Sequence, residues 1–209
     1  MSTAEARRLT LPLRRGRFTF ADFCALVKDG QKADLIDGVI YMASPDSLDT
    51  NDLFMWFGGL IDLYVEEMGL GNVFGSRAAF RLDDENSPEP DIAFVRMARL
   101  HFAERGFFNG APDLAIELVS PDSVDRDYIV KREKYRQAGV QEYWIIDEAI
   151  KKVTVLRLDA RGRYREVKPR GGAFYSEVLP GFWFRPEWLW QSPLPNKLPV
   201  LRQILGRKA

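Results

Sequence analysis

Two carboxylates stand in apolar stretches of the sequence, where a bare charge is costly. Asp91 follows Pro90 in PEPDIAFV and opens a run of Ile, Ala, Phe and Val. Glu117 lies inside the apolar run of APDLAIELVSPDS, and 117 − 91 = 26 residues separate the two acids. A carboxylate buried in such a run has to be paired, protonated or bound to a cation.

Two arrangements of these acids fit the sequence. If neighbouring strands bring both carboxylates together, they offer hard oxygen ligands for Mg²⁺ or Mn²⁺, which need few protein ligands and retain water molecules. Alternatively, both acids lie at strand ends, where water or nearby arginine side chains satisfy them. The residue types alone do not decide between these two arrangements.

A lysine-bearing segment follows Glu117. Residues 124–138, VDRDYIVKREKYRQA, have the pattern of a helix. Residues spaced by three or four positions lie on one stripe of this helix, and four polar residues share that stripe: Asp127, Lys131, Lys134 and Tyr135. A lysine on a half-buried stripe can place its ammonium beside a carboxylate pair, where it would orient water or neutralise phosphate charge. The alternative is a solvated face, which we favour for Lys134.

Other elements have to position these side chains. A hairpin is predicted around Asp37-Gly38 in ADLIDGVIYMAS. A short helix is predicted from about Ala21 to Gly30. A longer helix is predicted from the periodic apolar positions 53 to 68, with Thr50 or Asn51 as its cap and Gly69 or Gly71 as its end. Further strands are predicted at 72–82, 91–95, 113–120, 142–147, 152–158 and 163–169.

These elements favour an α/β fold, a single domain with a central mixed β-sheet flanked by helices. We assign residues 17–190 to this domain. Residues 1–16 are interpreted as a basic N-terminal arm, and residues 191–209 as a C-terminal tail. The Pro- and Trp-rich stretch before the end is predicted to wrap the domain ahead of a short terminal helix.

Composition narrows the classes of function. The 209 residues contain 30 Lys+Arg and 30 Asp+Glu, so no global basic field indicates a nucleic-acid partner, although a local basic cleft stays possible. With one cysteine, Cys24, and one histidine, His101, cysteine-based zinc clusters and multi-histidine metal sites are excluded. No apolar leader or membrane-length stretch is present, so we expect a cytoplasmic location without membrane contact.

Four motifs carry a resemblance to a known family: ADLIDGVIYMASPDS, PEPD with its apolar continuation, PDLAIELVSPDS, and KREKYRQAGVQEYWIID. In this order and spacing, from about Phe18 to Arg165, they resemble the Uma-two family of restriction-endonuclease-like proteins. That family belongs to the PD-(D/E)xK nuclease superfamily. The resemblance implies a restriction-endonuclease-like fold for most of the chain.

The resemblance also implies roles for individual residues. Asp91 matches the family's metal-binding aspartate and Glu117 its second metal ligand. In the wider superfamily a lysine follows two residues after the second acid, but that position is Val119 here. Lys131 matches the place in the following helix where the family carries its lysine.

Two positions depart from the family pattern. An early glutamate before the hairpin turn is replaced by Asp34, which keeps the charge on a shorter side chain. A histidine common after the SP segment is missing, and Asn51 lies near its expected place. Both departures leave the activity and the substrate of this chain open.

The resulting hypothesis is a Mg²⁺- or Mn²⁺-dependent endonuclease that hydrolyses DNA, with Asp91, Glu117, Lys131 and Asp34 as its catalytic residues. One alternative is a catalytically inactive module that binds nucleic acid or protein, and another is a nuclease acting on RNA or branched DNA. A homodimer is expected because double-strand cleavage needs two sites. Aromatic residues near Trp56 and Phe107-Phe108 could supply the apolar contact surface.

Three other sets of residues have simpler interpretations. His101 is predicted to be structural or exposed. Arg77 could contact phosphate from a strand ahead of Asp91, or equally pair with a carboxylate. Three tryptophans are interpreted as covering the core rather than stacking on bases, namely Trp183, Trp188 and Trp190.

Overall fold

The computed structural model describes residues 16–28 and 30–206. Of the predicted basic arm, only Gly16 falls within these residues. The helices are α1 Phe20–Leu26, α2 Leu48–Met68, α3 Arg132–Gln137, α4 Pro186–Leu189 and α5 Lys197–Ile204. A 3₁₀ turn spans Met97–Phe102, and a π-helical segment, Arg126–Lys131, runs directly into α3. This continuous stretch is called the 126–137 helix below.

The strands are β1 Ala33–Ile36, β2 Val39–Met42, β3 Gly71–Gly75, β4 Ala79–Arg81, β5 Ile92–Arg96, β6 Ala103–Glu104, β7 Phe107–Asn109, β8 Leu114–Leu118, β9 Glu142–Asp147, β10 Lys152–Leu158, β11 Tyr164–Val167, β12 Phe174–Tyr175 and β13 Trp183–Phe184. Six of them form the central sheet in the order β11-β10-β9-β8-β5-β3. The pairing of β8 with β9 is parallel, and the other pairings in this sheet are antiparallel. The predicted mixed sheet is therefore confirmed.

Each face of the central sheet is covered by a different helix. Residues of α2 pack with Ile116 and Leu118 in the larger core cluster. Ala115 and Ile145 lie in a second cluster with Tyr135 of the 126–137 helix. Because side chains alternate along a strand, Glu117 points away from α2 and towards the 126–137 helix. This alternation decides which helix supplies its partners.

The predicted hairpin forms between β1 and β2. Asp37 and Gly38 both have positive φ, 50° and 69°, as a two-residue turn of this kind requires. The strands pair in register from Ala33↔Met42 to Ile36↔Val39. An antiparallel bridge between Leu35 and Ser87 ties the hairpin to the segment that precedes β5. The hairpin thus lies beside the acid of the PEPD motif.

The limits of two helices differ from those predicted. α2 begins one turn earlier than the predicted caps, because Ser47 accepts a hydrogen bond from the backbone N–H of Thr50 at 3.0 Å. It ends at Gly69 as predicted, with φ 61°. α1 is shorter than predicted and begins at Phe20, where Thr19 and Asp22 form a reciprocal capping box.

The C-terminal segment packs onto the α2 side of the sheet. Core residues there include Phe182 and Phe184, and α5 contributes Val200, Leu201 and Ile204. Trp188 is buried, while Trp183 and Trp190 are half-buried against the same cluster, which confirms that the tryptophans cover the core. Among the residues described, no helix is long and apolar enough to cross a membrane.

The aromatic residues predicted to form a contact surface are not exposed, and this expectation is wrong. Trp56 is 5% exposed, and its indole N–H donates to the carbonyl of Pro195 at 2.6 Å. Phe108 is 3% exposed, and Phe107 packs edge-on against Phe20. These rings belong to the chain's own core, so a dimer would need another surface.

Candidate active site

Glu117 is buried on the face of the sheet that the 126–137 helix covers. Its position in β8, between two residues that face α2, turns the carboxylate towards the 126–137 helix. The side chain is only 2% exposed. Oε1 accepts hydrogen bonds from Lys131 Nζ at 3.0 Å and from the Tyr135 hydroxyl at 2.9 Å. The buried acid is therefore paired by the helix that follows it in sequence.

Asp91 lies opposite Glu117 on the neighbouring strand. It immediately precedes β5, and the register in which Ile92 pairs with Ile116 continues to Asp91 and Glu117. Asp91 Oδ2 accepts the backbone N–H of Leu118 at 2.7 Å, and Oδ1 pairs with Lys32. The two acids thus come from adjacent strands, as predicted.

Lys131 lies among three carboxylates. Its ammonium is 3.0 Å from Asp34 Oδ2, 3.0 Å from Glu117 Oε1 and 3.7 Å from Asp127 Oδ1. Lys134, one turn further on, instead pairs with Asp37 in the hairpin turn at 2.5 Å. The structure therefore places Lys131 at the acidic site and Lys134 outside it, although helical spacing alone put both on one stripe; the preference for a solvated Lys134 agrees with this placement.

Asp34 reaches the site from the β1–β2 hairpin. Its Oδ1 accepts the backbone N–H of Glu89 at 2.9 Å, while Oδ2 faces Lys131 and lies 3.3 Å from Arg126 Nε. Burial opposes the charge on Asp34, but Lys131 and the Glu89 N–H lower the pKa of its carboxyl. Asp34 therefore stays ionised and is a second carboxylate partner of Lys131 beside Glu117.

Three charged residues of the site were missed by sequence reasoning. Lys32 directly precedes β1, Glu89 stands two residues before Asp91, and Arg126 opens the π-helical segment. Glu89 accepts the backbone N–H of Ala33 at 3.0 Å, so it ties the PEPD motif to the hairpin. The motif itself contained this signal, because Glu89 is a second acid between two prolines.

The charges of the cluster do not cancel. Its five carboxylates are Asp34, Glu89, Asp91, Glu117 and Asp127, and its three cations are Lys32, Arg126 and Lys131. With every group ionised, the sum is 3 − 5 = −2. Burial raises the pKa values of Glu117 and Asp127, and the neighbouring carboxylates add to both shifts. The folded environment therefore favours the neutral, protonated forms of these two carboxyls.

For Lys131, in contrast, the surroundings favour the charged form. Burial disfavours its charge, but Asp34, Glu117 and Asp127 outweigh this and raise the pKa of the ammonium above its ordinary value. Lys131 consequently keeps its proton throughout the physiological range. It can donate hydrogen bonds and supply positive charge, but it cannot act as a base.

The buried carboxyl of Glu89 should make the stability of the protein depend on pH. Burial raises the pKa of its carboxyl to about 7, well above that of an exposed glutamate. Protons then bind the folded state more tightly, so the contribution of Glu89 to the free energy of unfolding falls as pH rises from about 4.5 to 7. We expect a loss of about 3 kcal/mol over this interval, measured by urea unfolding. Glu89→Gln should remove this part of the pH dependence; an unchanged pH profile would contradict the assignment.

A divalent cation fits this donor set in part. Asp91 and Glu117 could hold it, because Mg²⁺ is commonly bound by one or two carboxylates with water and substrate phosphate as further ligands. Two buried atoms of the cluster, Asp127 Oδ1 and Arg126 Nε, make no hydrogen bond with the part of the chain described. In residues 16–28 and 30–206, no three His, Cys, Asp or Glu side chains converge as ready-made metal ligands. The protein would therefore supply about two ligands to a bound cation.

The remaining residues singled out from the sequence make no hydrogen bond or ion pair with the carboxylates of the cluster within the described part of the chain. Val119, at the superfamily's lysine position, donates its backbone N–H to Ile146 in the sheet. Asn51 and His101 are exposed, the latter in the 3₁₀ turn. Arg77 is not on a strand; it occupies the turn between β3 and β4 with φ 76° and donates to the carbonyl of Gly30. None of the four reaches the carboxylates.

The central six-stranded mixed sheet with its flanking helices is a restriction-endonuclease-like fold. The family model of Uma2, described as "Putative restriction endonuclease", matches residues 19–187. The chain belongs to this family.

A solved structure supports the same fold. The chain is similar to a protein from Anabaena variabilis ATCC 29413, described as a putative nuclease belonging to DUF820, with a TM-score of 0.69 and 20% sequence identity. The match covers 83% of this chain and 97% of the other. At this identity the likeness shows the fold alone. No functionally curated protein matches the chain.

Proposed function

We propose that the chain is a metal-dependent endonuclease that hydrolyses phosphodiester bonds in DNA. The observation that carries the proposal is the buried cluster in which Asp91 and Glu117 come from adjacent strands and Lys131 contacts Glu117. Its excess of negative charge calls for a cation. Family membership supports the same class of reaction.

A divalent cation at Asp91 and Glu117 would lower the pKa of a bound water and stabilise charge on the phosphoryl oxygens. The side chains around it have separate tasks. The Tyr135 hydroxyl fixes Glu117 Oε1, and the Leu118 N–H fixes Asp91 Oδ2, so both carboxylates are oriented in advance. Lys131, held between Asp34 and Glu117, supplies a fixed positive charge.

Lys32 is a further source of positive charge at Asp91. Its side chain is 20% exposed, whereas that of Lys131 is 2% exposed, so Lys32 is the more accessible ammonium of the two. We infer that a cation bound by Asp91 would displace Lys32 from Oδ1 and free its ammonium for a substrate phosphate.

Cleavage assays with purified protein test the proposal. Supercoiled plasmid, linear duplex, branched DNA and RNA would each be incubated with Mg²⁺, with Mn²⁺ and with EDTA. We expect cleavage of DNA with either metal and none with EDTA, and loss of the activity in Glu117→Gln. Activity that persists in EDTA, or in Glu117→Gln, would overturn the proposal.

The alternative is a binding module that has kept the nuclease fold without activity. The shorter Asp34 and the missing histidine near Asn51 motivate it. Such a protein would show no cleavage and no saturable Mn²⁺ binding in calorimetry, although it could still retain DNA. Mn²⁺ binding together with cleavage would exclude it.

We also propose a homodimer, since two active sites are needed to cut both strands of a duplex and two-fold assemblies are the commonest oligomers. Light scattering at working concentration should then give about twice the 24.0 kDa of one chain. A monomer mass would contradict the dimer, but it would leave the cleavage chemistry untouched.

A further inference from the structure

Acidic and basic residues are unevenly distributed over the surface of this neutral protein. Residues 151–170, which form β10, β11 and their flanks, contain eight Lys or Arg and two acids, a net charge of 8 − 2 = +6. Of these, Arg157 and Arg165 share the α2 side of their strands with Val155 and Val167, and the others are free to serve the opposite face or the strand ends. α2 itself contains five acids and no Lys or Arg, all five being exposed. A charged partner would therefore be steered to one face of the molecule.

The positive charges on the α3 side form a continuous surface. We call it the basic surface, and it consists of Arg132, Arg136, Lys152, Arg163 and Lys168. Three of them lie near one exposed acid, Glu166. A hydrogen bond from Lys168 and the charges of Lys152 and Arg132 lower the pKa of its carboxyl. Three acids offset part of the charge, namely Glu133, Glu166 and Asp159, the last of which pairs with Arg163 at 3.6 Å, and this leaves 5 − 3 = +2.

A cleft runs through this surface. It has a volume of about 540 Å³ and is lined by side chains of the 126–137 helix and the β10–β11 turn, including Arg132, Arg136, Arg163 and Tyr164. Arg136 is engaged, since it donates to Glu133 and to the carbonyl of Gly162 at 2.7 Å. Arg132 and Arg163 are exposed and can reach a ligand.

The basic surface begins beside the candidate active site. Leu118 at the end of β8 pairs with Ile146, and the next residue of β9, Asp147, pairs with Lys152 at the start of β10, so Lys152 lies at the end of the sheet where β8 ends just after Glu117. Arg132 directly follows Lys131 on the 126–137 helix. Arg163 lies at the far end of the β10–β11 hairpin, about 20 Å away for a seven-residue strand.

We propose that the basic surface binds the phosphate backbone of the DNA duplex on which the candidate active site acts. This inference rests on the proposed function and adds to it the face of the protein on which the substrate lies. Phosphates of one strand are spaced at about 3.4 Å of axial rise, so about 20 Å corresponds to roughly six base pairs. Lys and Arg at such intervals match a backbone, while the acidic α2 face repels it.

Equilibrium binding in EDTA tests the inference without requiring cleavage. A fluorescent duplex of about 20 base pairs would be titrated between about 50 and 200 mM salt. A triple variant, Arg132→Gln with Lys152→Gln and Arg163→Gln, should weaken binding about 10- to 100-fold near 100 mM salt and reduce the salt slope by about 2 to 3. Arg136 is left intact because it holds the β10–β11 turn.

Arg202→Gln is the matched control for the single variant Arg163→Gln. Arg202 is an exposed arginine on α5, which packs on the α2 side of the sheet. We expect Arg163→Gln to weaken binding several-fold and Arg202→Gln to leave it unchanged. Thermal unfolding of each variant would verify that the fold is kept.

Several results would overturn the inference. One is equal weakening by Arg163→Gln and Arg202→Gln, and another is wild-type affinity in the triple variant, which would mean that these charges only protect the edge strand β11 from self-association. A failure to bind duplex, or preferential binding to phosphatidylserine vesicles, would also overturn it. Specific binding without cleavage in Mg²⁺ or Mn²⁺ would refute the proposed function but not this surface.

Discussion

Lys131→Ala is expected to lower DNA cleavage by about 100-fold or more, the usual loss on removing one preorganised charged group. The wild-type ammonium is 3.0 Å from both Asp34 and Glu117 and keeps its proton. Removing it leaves developing phosphate charge without this fixed cation. Initial rates on plasmid with saturating Mn²⁺ would measure the loss.

The same substitution should also destabilise the fold by about 3–5 kcal/mol, because it leaves buried carboxylates without their common partner. Rates therefore have to be measured well below the unfolding temperature of the variant. Lys131→Arg keeps the charge and should recover stability more completely than activity, since a planar guanidinium cannot occupy the position of the ammonium.

Lys134→Ala is the matched control. Lys134 lies three residues further along the 126–137 helix and pairs with Asp37, whose side chain is 51% exposed. Such surface pairs contribute about 0–1 kcal/mol, so both cleavage and stability should stay close to wild type. Equal losses in the two variants, or a loss in Lys134→Ala alone, would show that Lys131 is not the functional lysine.

Local sequence patterns predict the strands best where the chain alternates simply between strand and turn. β9 and β10 have their predicted limits, 142–147 and 152–158, because apolar runs end at turn residues on both sides. The 72–82 stretch is a less simple case. It divides into β3 and β4 at Arg77, which takes a positive φ that few non-glycine residues adopt.

The candidate site was predictable only in part, for a physical reason. Lys131, Tyr135 and Glu117 are close in sequence, and helical spacing with strand alternation determines their contact. Lys32 reaches the site from the start of the hairpin, and its position is 59 residues away in sequence from that of its partner Asp91. Tertiary packing decides such long-range pairs, and a single sequence carries no local signal for them.

Asp34 shows how a departure from the family pattern is accommodated. The shorter acid still contacts Lys131, because the bridge between Leu35 and Ser87 draws the β1–β2 hairpin close to the PEPD segment. Glu89 then supplies a second carboxylate near Asp34, and its charge acts on Lys131 as well. The negative charge around the lysine is therefore shared by Asp34, Glu89 and Glu117.

Glu117→Gln is expected to abolish Mn²⁺ binding and cleavage while raising the stability of the metal-free protein. Glutamine keeps the shape of the side chain and can still accept from Tyr135, but it offers the cation no charge. Burial and neighbouring carboxylates raise the pKa of Glu117, so its ionised form is unfavourable in the folded state without a cation. Removing that charge should therefore stabilise the protein most at high pH.

Asp91→Asn should likewise abolish metal binding, but without the gain in stability, because Lys32 then loses its partner. Calorimetric titration with Mn²⁺ and urea unfolding with EDTA, both near pH 8, would separate the two effects. Glu66→Gln, an exposed acid on α2, is the control and should change neither. If Glu117→Gln bound Mn²⁺ as tightly as wild type, the carboxylate would be a structural partner of Lys131 and Tyr135, and the metal would have to be held elsewhere.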